Sequence, residues 1–223
     1  MTNLNVIITG ATGMVGEGVL LECLQNENIA SVLMLNRRSF DLKHPKLKEL
    51  LVPNFLEIEK FKAQLTGYDA CFFCAGVSSL GKNEADYTRI TYDTTLAVAH
   101  VLVQANPNLV FTFVSGALTD TNGKQMWQRV KGRTEDALMK LPFRGQYNFR
   151  PGVMKPVAGQ KNVRWFFKPL VPVFMALSPS RSLTLHEVGR AMIHSVTRGY
   201  HKQVLEIKDI KTLAKGLQPF MPK

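Results

Sequence analysis

Short, unbroken apolar runs alternate along this chain with longer stretches whose apolar residues return every three or four positions. Asn5–Thr9, Ser31–Leu35, Ala70–Cys74, Leu109–Val114 and Gln146–Phe149 are runs of the first kind, and Phe55–Ile58 is a weaker one. Val15–Gln25, Asn83–Gln104, Gln125–Lys140 and His186–Val196 carry the helical spacing. A strand that is apolar on both faces must be covered on both. Continuous runs separated by helices therefore predict a parallel sheet between two helical layers, with right-handed crossovers. The expected fold is α/β, a doubly wound, Rossmann-like sheet in three α/β/α layers. Asn106-Pro107-Asn108 breaks the chain before the Leu109 run, but no Pro/Gly/Ser-rich linker divides it. One domain over residues 1–223 is expected, with a small substrate or interface portion from about residue 151.

Bulk composition changes this picture little. An apolar content of 45% and a charged content of 20% are those of ordinary soluble globular proteins, and no internal repeat or low-complexity tract competes with a packed core. Met1 to Asn5 lead straight into the first run without a charged-then-apolar leader, so a cytoplasmic protein is expected. The formal net charge of +11 raises the question of nucleic acid. The positive residues, however, are spread from Arg37 to Lys223 without a block of five or six like charges. We expect a few phosphate contacts and no nucleic-acid partner. The most apolar stretch, Trp165–Leu177, holds Lys168 and two prolines and is shorter than the roughly 20 residues of a membrane span. It reads as a pocket wall or as an interface with a second copy or a partner protein, and no transmembrane segment is expected. Cys71 and Cys74 match a C-x-x-C spacing, yet they lie inside a strand-like run, whereas redox and zinc pairs occupy turns and helix starts. They are expected to be core residues, with no metal.

Candidate chemistry begins where the first run ends. Asn5–Thr9 feeds directly into Gly10-Ala11-Thr12-Gly13-Met14-Val15-Gly16, and Val19, Leu20, Leu21 and Leu24 follow at helical intervals. A strand, a tight turn and a helix start set a pyrophosphate on helix-terminal N–H groups. Gly10 would allow the turn, Gly13 would let the backbone approach phosphates, and Gly16 would let the helix pack closely. A plain structural turn shares this spacing; the position after a strand and before a helix favours a cofactor site. The second run ends Met34-Leu35-Asn36-Arg37-Arg38, with no acid. A carboxylate there would bond the ribose hydroxyls of NAD and repel a 2′-phosphate, while two guanidinium groups can hold a phosphate bidentately. NADP(H) is expected over NAD(H), with solvated loop charges as the alternative for Arg37 and Arg38.

Thr9 to Gly16 is similar to the fingerprint of the short-chain dehydrogenase/reductase superfamily, in its extended and atypical branches. Four further segments follow in that superfamily's order: Phe73-Cys74-Ala75-Gly76, Val114-Ser115-Gly116, Val130-Lys131-Gly132 with Glu135, and Phe149-Arg150-Pro151-Gly152. The whole set resembles short NAD(P)-binding epimerase/dehydratase-like proteins. The resemblance implies that Cys74, Ala75 and Gly76 line the cofactor and that Ser115 is the catalytic serine. It also implies that Lys131 holds the nicotinamide ribose and that Arg150-Pro151-Gly152 closes over the nicotinamide side. Two departures stand out. Phe55-Leu56-Glu57 offers no equivalent of the acid found near the adenine, and Trp127 stands four residues before Lys131, where the superfamily has a tyrosine.

That tyrosine normally exchanges a proton with the substrate, its pKa lowered by the lysine one helical turn away. An indole N–H donates a hydrogen bond but has no acid–base equilibrium near neutral pH. Tyr87 and Tyr92 are alternative hydroxyls, and His100 and His186 read as structural. Two functions follow from the resemblance. One is an NADP(H)-dependent reductase, epimerase or dehydratase acting on a small carbonyl or related molecule. The other is a cofactor-binding sensor or interaction protein with weak or no catalysis. About 70 residues follow Gly152, fewer than a sugar-nucleotide substrate domain needs.

Overall fold

The computed structural model describes residues 3–162 and 182–217, so Trp165–Leu177 lies outside the described residues. Strand β1 (Leu4–Thr9) leads into helix α1 (Met14–Gln25), β2 (Ile29–Asn36), β3 (Leu47–Leu51), a run of 3-10 turns (Phe55–Leu65) and β4 (Ala70–Phe73). Then come α2 (Glu84–Thr88), a π turn (Arg89–Asp93), α3 (Thr94–Ala105), β5 (Val110–Val114), α4 (Met126–Met139) and β6 (Gly145–Phe149). The chain continues through β7 (Val153–Lys155), β8 (Ser182–Thr184), α5 (Leu185–Thr197), β9 (Val204–Leu205) and α6 (Ile207–Ala214).

Seven strands form one parallel sheet in the order β3-β2-β1-β4-β5-β6-β9, and β7 pairs with β8 in a second, two-stranded sheet. Alternate side chains of the central strands feed two cores. Val6, Ile8, Val32, Met34 and Phe72 pack with α1, α5 and α6, whereas Ile7, Leu33, Leu35, Cys71 and Phe73 pack with the 3-10 turns and α3. Each fully buried side chain of this size contributes roughly 1.5–3 kcal/mol relative to exposure, which is why both faces must be covered. On the first face α1 and α5 touch closely: a Cβ at Gly18 would lie 2.7 Å from Leu185, and one at Gly189 would lie 2.8 Å from Glu22.

The three-layer doubly wound fold is the one expected, with three corrections. Phe55–Ile58 is not a strand. Asn54 caps a 3-10 turn there, its Oδ1 accepting from Leu56 N–H at 3.1 Å, and Phe55, Ile58 and Leu65 point inward at helical spacing. The third strand is Leu47–Leu51, an edge strand whose Lys48 and Glu49 face solvent. The helix expected over Asn83–Gln104 is α2, the π turn and α3 in succession. Cys71 and Cys74 point to opposite faces of the sheet and are free thiols, and burial pushes the Cys74 thiol up to about 12. Among the described residues no cluster of His, Cys, Asp or Glu could hold a metal, and no helix is long and apolar enough to cross a membrane.

Candidate functional site

The sheet order reverses direction between β1 and β4, and in open α/β sheets ligands sit beyond the strand carboxyl ends at such a point. Five of the six predicted clusters follow a strand carboxyl end: Gly10–Gly16 after β1, Arg37 and Arg38 after β2, Cys74–Gly76 after β4, Ser115 after β5 and Arg150–Gly152 after β6. Lys131 reaches the same edge from α4.

The glycine turn is tight because its backbone segments nearly touch. Gly10 has φ +71°, a conformation that costs other residues strain, and a Cβ there would lie 2.6 Å from Ala75 N. A Cβ at Gly16 would come within 2.2 Å of the Gly10 carbonyl oxygen, but one at Gly13 would stand 3.4 Å from it. Ala75 N–H donates to Thr9 Oγ1 at 3.1 Å, fastening the β1 and β4 ends together. Gly13 is the N-cap of α1 and supplies no side-chain acceptor, and Thr12 and Gly13 are exposed. The first-turn N–H groups and the positive end of the helix dipole are thus available to an anion, which fits a pyrophosphate. The two glycines should separate stability from binding. Gly16→Ala is expected to lower stability by about 1–3 kcal/mol through overpacking. Gly13→Ala should keep the thermal midpoint within a few degrees yet abolish dinucleotide binding, as differential scanning fluorimetry with and without NADPH would show.

At the β2 end, Asn36 is buried and turned into the protein, where Nδ2 donates to Glu49 Oε1 at 3.1 Å. Glu49 also accepts from Ser39 Oγ at 2.8 Å and Phe40 N–H at 2.9 Å, and these bonds hold its carboxyl below the usual range against partial desolvation. Arg37 lines a pocket of about 370 Å³ with Ala75, Gly76, Phe55 and Leu56; Arg38 is exposed and lies outside that lining. Glu49, Lys82 and Arg89 escaped the sequence reading, since spacing alone does not say which loops meet.

Ser115 is buried, and its Oγ lies 3.0 Å from Thr119 Oγ1, which itself donates to the Gly116 carbonyl at 2.8 Å. The serine proton is therefore directed at Thr119. Lys131 Nζ donates to the Ser115 carbonyl at 2.8 Å and to the Val114 carbonyl at 3.2 Å, and lies 5.7 Å from the Phe113 ring centroid. Burial lowers its pKa to about 8, partly offset by the charge of Glu135. Trp127 lies against the turn: a Cβ on Gly116 would be 3.5 Å from its ring, and its Nε1 donates to Gln125. Next in the turn, Leu118 is 76% exposed at φ +68°, a strained backbone for a leucine, and its carbonyl accepts from Gln128 Nε2 at 2.8 Å. Tyr87 is buried at 2% exposure, so it offers the cleft no hydroxyl.

The Arg150 side chain is engaged within the protein. Its Nη2 and Nε bond the two Glu135 oxygens at 2.6 and 3.0 Å, and Nη1 reaches Glu206 at 3.2 Å. It clamps the β6 end to α4 and to the start of α6. His186, exposed on its own helix, bonds buried Glu22 at 2.6 Å beside Arg190, on the α1–α5 surface away from the glycine turn. Glu17 in the first turn of α1 accepts from Lys161 N–H at 2.7 Å and Asn162 N–H at 2.8 Å, so the segment after β7 is fixed against the N-terminal end of that helix.

Comparison with known proteins agrees with this fold. The model of the NAD dependent epimerase/dehydratase family matches residues 6–136. Protein HTATIP2 of Rattus norvegicus is 26% identical over 69% of this chain, which spans 64% of that relative's length. The Emericella nidulans protein named "fmp52, mitochondrial" is 22% identical over 90% of each chain. Among solved structures, the Helicobacter pylori ADP-L-glycero-D-manno-heptose-6-epimerase superposes with a TM-score of 0.65 at 14% identity, covering 96% of this chain and 81% of the other. A short chain dehydrogenase from Burkholderia cenocepacia in complex with NADP gives 0.66 at 13%, covering 96% and 93%. At these identities the structural likeness concerns the fold.

Proposed function

This chain belongs to the NAD dependent epimerase/dehydratase family, and from that premise we propose that it is an NADP(H)-dependent oxidoreductase acting on a small carbonyl compound. The single observation that carries the reading is the meeting of Ser115 and Lys131 at the β5 end. They share that edge with the uncapped N-terminus of α1. The backbone of Gly10–Gly16 would hold the pyrophosphate and Arg37 the 2′-phosphate. Lys131 would hold the nicotinamide ribose, and Ala75 and Gly76 would line the adenosine side. Asn36 and Arg150 would act through structure, by shaping the β2 end and by holding α4 in place. Solved structures of this fold contain NAD+ or NADH in several cases and NADP in another, so the preference for NADP(H) rests on this chain's own residues. No acid ends β2, and the Glu49 carboxylate is engaged by three donors.

A nicotinamide ring supplies or accepts hydride when bound. Ser115 would turn its proton from Thr119 to the carbonyl oxygen, stabilising the negative charge that grows there. Lys131 fixes the serine backbone through its bond to the Ser115 carbonyl. With Trp127 in place of an acid, water would deliver the proton, directly or through the Ser115–Thr119 hydroxyl pair. Stopped-flow NADPH oxidation across aldehydes, ketones and quinones tests this. Turnover with at least one class is expected, and Ser115→Ala should reduce it by about 10²-fold at unchanged NADPH affinity. Tight NADPH binding without turnover on any of the panel would overturn the reading in favour of a sensor. The cytoplasmic location belongs to the same proposal and is checked by cell fractionation, since the names of three relatives place those proteins in mitochondria.

A further inference from the structure

Three cations share the pocket beside the β4 end, and none has an ion-pair partner among the described residues. Arg37 enters from the end of β2, Lys82 from the loop before α2, and Arg89 from the π turn; Asp86 is the one acid in the lining. Asp86 is already engaged, accepting from Asn83 Nδ2 at 2.8 Å and serving the start of α2. Three other arginines behave differently: Arg129 and Arg133 on α4 pair with Glu84, and Arg150 just after β6 pairs with Glu135. Two guanidinium groups and an ammonium directed at one cavity repel each other, and an anion between them removes that cost.

The π turn explains how Arg89 comes to be there. Its wider loop, closed by Thr94 N–H donating to the Arg89 carbonyl, to which Thr94 Oγ1 also donates at 3.0 Å, lets Arg89 and Ile90 face the pocket while Tyr87 and Thr91 stay buried. Such turns interrupt helices most often at functional positions. Ile90 and Leu56 supply apolar walls, so the cavity suits a flat ring next to a polyanionic group. Arg38 is absent from this lining, although the sequence pairs it with Arg37.

We propose that Arg89 and Lys82 are specificity-determining residues that bind the 2′-phosphate of NADP(H) together with Arg37, and that Arg38 takes no part. The proposal rests on the NADP(H) reading above and names the residues that would produce it. A guanidinium–phosphate pair is charge-assisted and absent from NADH, so its loss should appear in one cofactor only.

Isothermal titration of NADPH, NADH and 2′,5′-ADP into the wild-type protein and into Arg37→Met, Arg38→Met, Lys82→Met and Arg89→Met tests it. Arg89 is exposed, and circular dichroism with a thermal midpoint verifies that each variant is folded. Arg89→Met is expected to weaken NADPH and 2′,5′-ADP by about tenfold or more, and Lys82→Met by a smaller factor, with NADH within about twofold of wild type. Arg38→Met should match wild type for all three. Unchanged NADPH binding by folded Arg89→Met, or an equal loss for NADPH and NADH, would overturn the proposal, as would loss of NADPH binding in Arg38→Met. Wild-type protein that binds NADH as tightly as NADPH would instead overturn the NADP(H) reading itself, a result that needs no variant.

Discussion

Glu135→Ala is expected to destabilise this protein by about 3–5 kcal/mol, the largest effect we predict for any single side chain. Glu135 is 1% exposed and receives two parallel bonds from Arg150, whose own side chain is 19% exposed. Removing the carboxylate leaves a guanidinium in a largely dry site with only Glu206, a 51% exposed partner, to balance it. A domain of this kind has about 5–15 kcal/mol in total, so the variant should unfold at markedly lower urea and melt many degrees earlier. Arg150→Met in the same background should recover much of the loss, because an absent ion pair is tolerated far better than half of one. A single-variant loss below about 1 kcal/mol would show that solvent reaches the pair and that the clamp is weak. The effect extends beyond stability. Glu135 lies one helical turn after Lys131 and is the charge that holds the lysine pKa up against burial, so its removal should move that pKa below about 8.

The clamp also shows what the sequence could and could not reveal. Arg150 is legible as a strand-end residue, and the resemblance places it over a nicotinamide. Its partners, Glu135 and Glu206, come from helices 15 and 56 residues away, and no spacing predicts that they converge. The strands tell the same story. β1, β4 and β5 are legible because both of their faces are buried, which forces continuous apolar runs. β3 is an edge strand with Lys48 and Glu49 in its middle, so its pattern is no longer that of a buried strand, and Phe55 and Ile58 imitate one nearby. The π turn is invisible because Asn83 to Gln104 contains no proline or glycine to mark an interruption. Within the candidate site, residues attached to strand ends are legible as candidates in the sequence, whereas Thr119, Glu49, Lys82 and Arg89 are not. The first group is fixed by the sheet, the second by how loops fold over it.

Trp127→Tyr is expected to raise NADPH-dependent carbonyl reduction by about 10²–10⁴-fold, the range a well-placed general acid contributes. The indole lies beside the Gly116 turn and one helical turn before Lys131, so a phenol at the same position falls on the same face of α4 as the lysine. The phenol is the smaller ring, and the Gln125 contact it gives up is with a partly exposed group, so the fold should tolerate the change. With a pKa of about 8, Lys131 is mostly an ammonium at pH 7, and its charge stabilises the phenolate as the proton leaves. The gained activity should therefore decline as pH rises through about 8, where the lysine loses its proton and the phenol returns toward its ordinary value. Lys131→Met in the Trp127→Tyr background should remove most of the gain. Single-turnover oxidation of bound NADPH between pH 6 and 9 reads both effects. If the variant binds NADPH normally but gains nothing, proton delivery does not limit the wild-type reaction. In that case the indole does not occupy the place of a missing acid, and water supplies the proton with the Ser115–Thr119 pair as its relay.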